Sequence, residues 1–164
     1  MRNKRGKKGG NKRKRRSKST KPTKVRVLQD KCEALWKEIC KLRDGLECQV
    51  KKYYPDLQGH GRVIQVDHFI TRSNKHLKFD PRNGTVVCNS CNASKHWVGN
   101  GAVALAIEAI VVEREGGDWV ADAKALELSK IPQDEYSKVW WLEEQIKQLD
   151  SAARYYRRST NAKA

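Results

Sequence analysis

Residues 66 to 97, VDHFITRSNKHLKFDPRNGTVVCNSCNASKHW, hold an Asp-His pair, two spaced asparagines and a Cys-x-x-Cys. Hydrolysis of a phosphodiester needs a base to activate water, a hard cation to take up charge, and geometry that aligns them. Asp67 offers a carboxylate suited to Mg²⁺ or Mn²⁺, and Asn92 offers a neutral amide oxygen to the same ion. His68 titrates near neutrality and is matched to taking a proton from water. On a regular strand Asp67 and His68 point to opposite faces, so they share a site only if the strand ends or bends between them. Asn83 falls in the DPRNG turn, where an Asn side chain bonds nearby backbone and fixes a loop. Asn92 and His96 are four apart and share a helix face, which makes His96 a further candidate metal ligand. Arg72, Arg82 and Lys95 are the nearby cations available to phosphates.

The same stretch raises a zinc question. Cys88 and Cys91 have the spacing of a zinc knuckle, and Cys48 is a third candidate ligand. A second Cys-x-x-Cys would put a partner at residue 51, which is Lys51. Cys40 or His60 would then complete a tetrahedron, giving Cys₄ or Cys₃His. The alternative is that Cys88 and Cys91 flank a tight turn and pack in the core. Five cysteines are an odd set with no export signal beside them, which argues against a disulfide framework.

The elements that must position these groups are legible in the hydrophobic pattern. From Lys24 to Asp44, Leu28, Cys32, Leu35, Trp36, Ile39 and Leu42 recur at three and four, the stripe of an amphipathic helix with Gly45 as its stop. Cys32 and Cys40 on that stripe read as small buried hydrophobes. RVIQVDH and GTVVC predict two short strands, and a helix follows Cys91 with Asn89 or Ser90 as its cap. AVALAIEAIVVEREGG predicts an apolar helix, DWVADAKALEL a shorter one. In the last segment Val139, Leu142, Ile146, Leu149, Ala153 and Tyr156 form a heptad-like seam, which packs on its own domain or, as the alternative, makes a homodimer.

The chain has 164 residues, enough for one domain with extensions, and a formal net charge of +16. Fourteen of its 35 Lys and Arg lie in residues 1 to 26, where there is no Asp or Glu, so the rest is close to neutral. We read 1–26 as a disordered basic arm, with Lys12, Arg13, Lys14, Arg15 and Arg16 at its densest point. Such an arm suits phosphate backbones, because each neutralised phosphate releases a condensed counterion. Residues 27–132 then form the main domain and 133–164 a C-terminal amphipathic helix and tail. No stretch reaches the apolar length of a membrane span and no secretory signal opens the chain, so the expectation is a cytoplasmic protein without a membrane partner.

The order Asp-His, about fifteen residues, Asn, nine residues, Asn, then x-x-Lys resembles the HNH, or ββα-metal, nuclease motif. It is carried by Asp67, His68, Asn83, Asn92 and Lys95, with Asn92 in place of the final His. LRDGLECQV at 42 to 50 is similar to the usual lead-in to such a domain. LKFDPRNGTVVCNSCNASK resembles the pattern of the NinG/Rap family of phage recombination nucleases, and CNSCNA resembles the corresponding stretch of the phage endonuclease VII family. The likeness covers about residues 42 to 130. It implies an α+β fold with a small ββα-metal (His-Me finger) centre among helices, His68 as general base, Asp67 and Asn92 as ligands of Mg²⁺ or Mn²⁺, and Asn83 as the constraint on the loop that orients His68. It also implies endonucleolytic cleavage of DNA, leaving 5′-phosphate and 3′-hydroxyl ends, on branched intermediates such as Holliday junctions or D-loops in recombination or replication, in the bacterial host cell if the gene is phage-borne. Two rival readings are a non-catalytic nucleic-acid-binding protein with the motif as a scaffold, and an RNA-associated or ribosome-associated protein using Cys48, Cys88 and Cys91 structurally.

Overall fold

The structure is a computed structural model and describes residues 22–57, 59–95, 101–129 and 134–162. The first helix, α1 (Lys24–Asp44), starts where the Thr23 side chain accepts the Arg26 N–H at 3.3 Å. The basic segment therefore gives way to helix at Thr23, earlier than the boundary at 26 drawn from charge, because the cap and not the charge decides the start. Lys12 to Arg16 lie outside the described residues. Gly45 ends α1 at φ +79°, and its N–H returns to the Lys41 carbonyl.

A short α2 (Gln49–Tyr53) precedes strand β1 (Ile64–His68), which pairs antiparallel with β2 (Gly84–Cys88). The register sets Asp67 opposite Thr85 and His68 opposite Gly84. Helices α3 (Asn89–Lys95), α4 (Gly101–Glu115), α5 (Gly117–Leu128) and α6 (Val139–Asn161) follow. The fold is thus mixed, mostly helical, with one small two-stranded sheet. The third helix begins at Asn89 rather than after Cys91, so Cys91 and Asn92 both stand within it.

Two apolar clusters enclose the sheet. On one face Trp36, Ile39 and Cys40 of α1 meet Val86 of β2 and Leu142, Leu149 and Ala153 of α6. On the other, Val87 and Cys88 of β2 meet Val103, Ile107 and Val111 of α4. All five residues of β2 are buried, which explains its continuous run of small and β-branched residues, whereas β1 is half-exposed along its free edge. The seam of α6 is spent on α1: Leu142, Ile146, Leu149, Ala153 and Tyr156 all pack into that cluster. Pairing with a second copy would have to use a different face. Among the described residues, no helix is long and apolar enough to cross a membrane.

A buried ionic network ties α1 and α4 to the turn that enters β2. Arg43 donates to the Pro81 and Gly84 carbonyls at 2.7 and 2.6 Å, and Arg114 donates to the Arg82 and Gly84 carbonyls at 2.7 and 3.1 Å. Asp44, paired with Arg43 at 2.6 Å, accepts the Val86 N–H at 3.1 Å. These bonds satisfy backbone groups that the two-stranded sheet leaves open.

Candidate metal centres and a polar cleft

Asn83 organises the loop between the strands. Fully buried, it accepts the Ile70 N–H at 2.7 Å and donates from its amide to the Ile70 and Leu77 carbonyls, each at 3.0 Å. Its own carbonyl accepts the Phe69 N–H at 2.7 Å. One side chain therefore closes the loop from residue 70 to residue 77 directly behind His68.

At the end of β1, His68 is held from two sides. Its ring stacks on the indole of Trp36, with centroids 4.1 Å apart, and its Nε2 lies 2.9 Å from the Lys78 carbonyl. A carbonyl only accepts, so Nε2 carries the proton in this bond and Nδ1 keeps the lone pair. Burial pushes the imidazole pKa below its ordinary value, against the Lys78 bond and the charge of Asp67. The ring is thus a neutral base of one tautomer.

Asp67 and His68 line one cleft of about 520 Å³ together with Trp36, Arg72, Asn92 and Lys95. The strand stops at His68 and its edge is unpaired, so the cleft reaches residues from both faces of β1. Asp67 Oδ2 accepts from Lys95 Nζ at 2.7 Å, and the same ammonium bonds the His68 carbonyl. Lys95 is thereby turned inward. Asn92 Oδ1 is buried without a hydrogen-bond partner among the described residues. A desolvated amide oxygen without a donor is costly, and a cation would satisfy it. The carboxylate of Asp67 and the amide oxygen of Asn92 fit a hard divalent ion.

The other sequence candidates divide. Arg72 is exposed and lines the cleft. Arg82 does not line it: its guanidinium pairs with Asp80 at 2.8 Å and stands over the Trp119 ring. His96 lies outside the described residues.

A second centre sits where α2, β2 and α3 converge. Cys48, His60, Cys88 and Cys91 bring their ligand atoms within 4.8 Å of one another. Cys48 Sγ and Cys91 Sγ are 3.7 Å apart, and His60 Nδ1 is 3.4 Å from Cys91 Sγ and 3.9 Å from Cys88 Sγ. A zinc tetrahedron with ordinary Zn–S and Zn–N bonds has edges of about 3.5 to 3.8 Å. His60 Nε2 lies 3.1 Å from the Pro55 carbonyl, which fixes the proton there and aims the Nδ1 lone pair at the thiols. The cluster can hold a metal ion, and its soft donors suit zinc better than magnesium.

The described cysteines sort accordingly. Burial pushes Cys32 up to about 11 and Cys40 up to about 12, as expected of inert core thiols. Cys40 instead points to the Pro81 carbonyl and has no place in the cluster. At Cys88, burial is outweighed by the N–H groups of Cys91 and Gly61 and by His60, and its pKa is lowered to about 6. A Cβ at Gly61 would displace the exposed Asn89 side chain.

Comparison with known protein families, curated proteins and solved structures finds no match for this chain.

Proposed function

We propose that this chain is a metal-dependent DNA endonuclease of the HNH type, with a structural zinc supporting the catalytic cleft. The observation that carries the reading is the convergence of Asp67, the unpartnered Asn92 Oδ1 and the single-tautomer His68 on one cleft, at the end of a strand–strand–helix unit. That unit is the geometry the resemblance implies. A cation between Asp67 and Asn92, which line the same cleft, would give that bare amide oxygen a partner.

In this reading Asp67 and Asn92 hold Mg²⁺ or Mn²⁺, which would neutralise charge developing on the phosphate and leaving oxygens. His68 takes the proton of the attacking water at Nδ1, while Trp36 and the Lys78 carbonyl keep the ring from turning. Asn83 holds the loop that supplies that carbonyl. Lys95, now on Asp67, shares that carboxylate with the cation or yields it and turns to phosphate. Zinc on Cys48, His60, Cys88 and Cys91 would lock the β2–α3 junction, so that Asn92, next to Cys91, is placed by it. Branched DNA in recombination or replication is the substrate that the resemblance implies.

The rival reading, a nucleic-acid-binding protein with a structural Cys/His centre, draws on the Lys95–Asp67 pair, which already neutralises the carboxylate. Incubating the zinc-loaded protein with a labelled four-way junction and a matched duplex, in Mg²⁺, in Mn²⁺ and without either, separates the two. Cutting that needs the added cation supports the nuclease, and binding without cutting under all conditions supports the rival.

A further inference from the structure

Three clefts of the surface join end to end. The cleft of Asp67 and His68 shares Glu33, His68 and Arg72 with a neighbour of about 480 Å³ that adds Arg26 and Lys78. That neighbour shares Arg72, Ser73, Lys78 and Phe79 with a third, smaller cleft bounded by Gln29 and Tyr136. The result is one trough running from the cleft along the flank of α1.

Its charge is one-sided. Arg72 and Lys78 make no ion pair among the described residues, although Lys78 Nζ lies 4.9 Å from the Phe79 ring centre. Among the described residues Arg26 pairs with exposed Asp30 alone. Of the two acids lining the trough, Glu33 is held by Lys37 at 2.6 Å, which lowers its pKa, and Asp67 by Lys95 at 2.7 Å. The first turn of α1 itself carries no acidic residue, although Glu143 of α6 pairs with Lys24 at 3.0 Å. Arg26 stands in that turn, next to the point where residues 1–21, rich in Lys and Arg, join the helix. Arg72 and Lys78, lining the same stretch of trough without an ion-pair partner among the described residues, suit a polyanion laid across them.

We infer that the trough is a track for the sugar–phosphate backbone of duplex DNA, on which Arg72, Lys78 and Arg26 contact phosphates to one side of the scissile bond. This rests on the nuclease reading and adds a polarity to it: DNA extends from the cleft toward the start of α1. Of the aromatic residues that line it, Trp36 and Phe79 are buried and Tyr136 is half-buried, so the described residues offer no row of exposed rings to successive bases, which favours a duplex backbone over single-strand stacking.

The test is the salt dependence of binding to a 30-base-pair duplex, by fluorescence anisotropy, with the full chain carrying His68→Ala to prevent cutting. Each phosphate contact removed lowers the slope of log K against log salt by about 0.9. Arg72→Gln should lower it by about 0.9 and the Arg72→Gln/Lys78→Gln pair by about 1.8, whereas Lys147→Gln on α6 should leave it unchanged. An unchanged slope in the pair, or an equal drop with Lys147→Gln, overturns the track. Failure of the nuclease reading shows separately, as absence of cation-dependent cutting by the unsubstituted protein.

Discussion

The ring of His68 lies over the indole of Trp36 with centroids 4.1 Å apart and planes inclined by only 15°. Trp36 is itself fully buried and anchored by Nε1 to the Asp80 carbonyl at 2.9 Å, so one residue of α1 fixes the proposed base at the end of β1. Gly84 makes the approach feasible, because a Cβ opposite His68 would run into Trp36 and Cys40. Trp36→Phe should keep a ring beneath His68 and cost about 1 kcal/mol for the lost hydrogen bond. Trp36→Ala should cost about 3–5 kcal/mol. Urea denaturation reads both, and cleavage by the folded Phe variant should fall less than by the Ala variant.

As the proposed base, His68 would also set the pH behaviour. Burial holds its pKa below the ordinary 6.5, so the neutral base persists into mildly acidic solution. The acid limb of kcat/KM should therefore lie below pH 6.5, and be absent from the residual rate of His68→Ala. The sign for stability is the same. The unfolded chain protonates this histidine more readily, so its contribution is complete above pH 6.5 and is lost as pH falls through the lowered value. A limb centred above pH 6.5 would contradict the burial argument.

Local pattern made part of this molecule legible and long-range packing hid the rest. The stripe from Leu28 to Leu42 predicts α1 within its observed bounds, and RVIQVDH and GTVVC mark both strands. The choice between Cys40 and His60 beside the cysteine cluster was open in the sequence, because the answer depends on where the loop after α2 folds back. Helical periodicity puts Cys40 on the core stripe of α1, and a residue on that stripe cannot also reach β2's far end. The stacking of Trp36 on His68 joins residues 32 positions apart and leaves no trace in either local pattern. The inward turn of Lys95 was equally hidden, since its spacing fits a phosphate contact and an Asp67 pair alike.

Asn83→Ala should expose the cost of its loop. The Ile70 N–H and the Ile70 and Leu77 carbonyls would lose their partners in a buried setting, a destabilisation of about 3 kcal/mol. Faster amide exchange from residue 70 to 77, with α1 and α6 still protected, would locate the effect. Uniform loss of protection would show that the loop is not the seat of the change.

Metal content tests the second centre independently of any activity. Purified protein should carry one zinc per chain by mass spectrometry. His60→Ala should reduce retention under chelator strongly, and His60→Cys should restore much of it as a Cys₄ site. Cys40→Ala should leave zinc unchanged, because Cys40 lies outside the cluster. Loss of zinc from Cys40→Ala with retention in His60→Ala would reverse the assignment.

The most direct measurement is cleavage of a labelled four-way junction and a matched duplex in Mg²⁺, with His68→Ala alongside. Cutting by the unsubstituted protein is expected, with a rate lower by about 10²–10⁴-fold in His68→Ala and with junction binding and zinc content retained. Equal cutting by both proteins would remove His68 from the chemistry, and binding without cutting by either would contradict the nuclease itself.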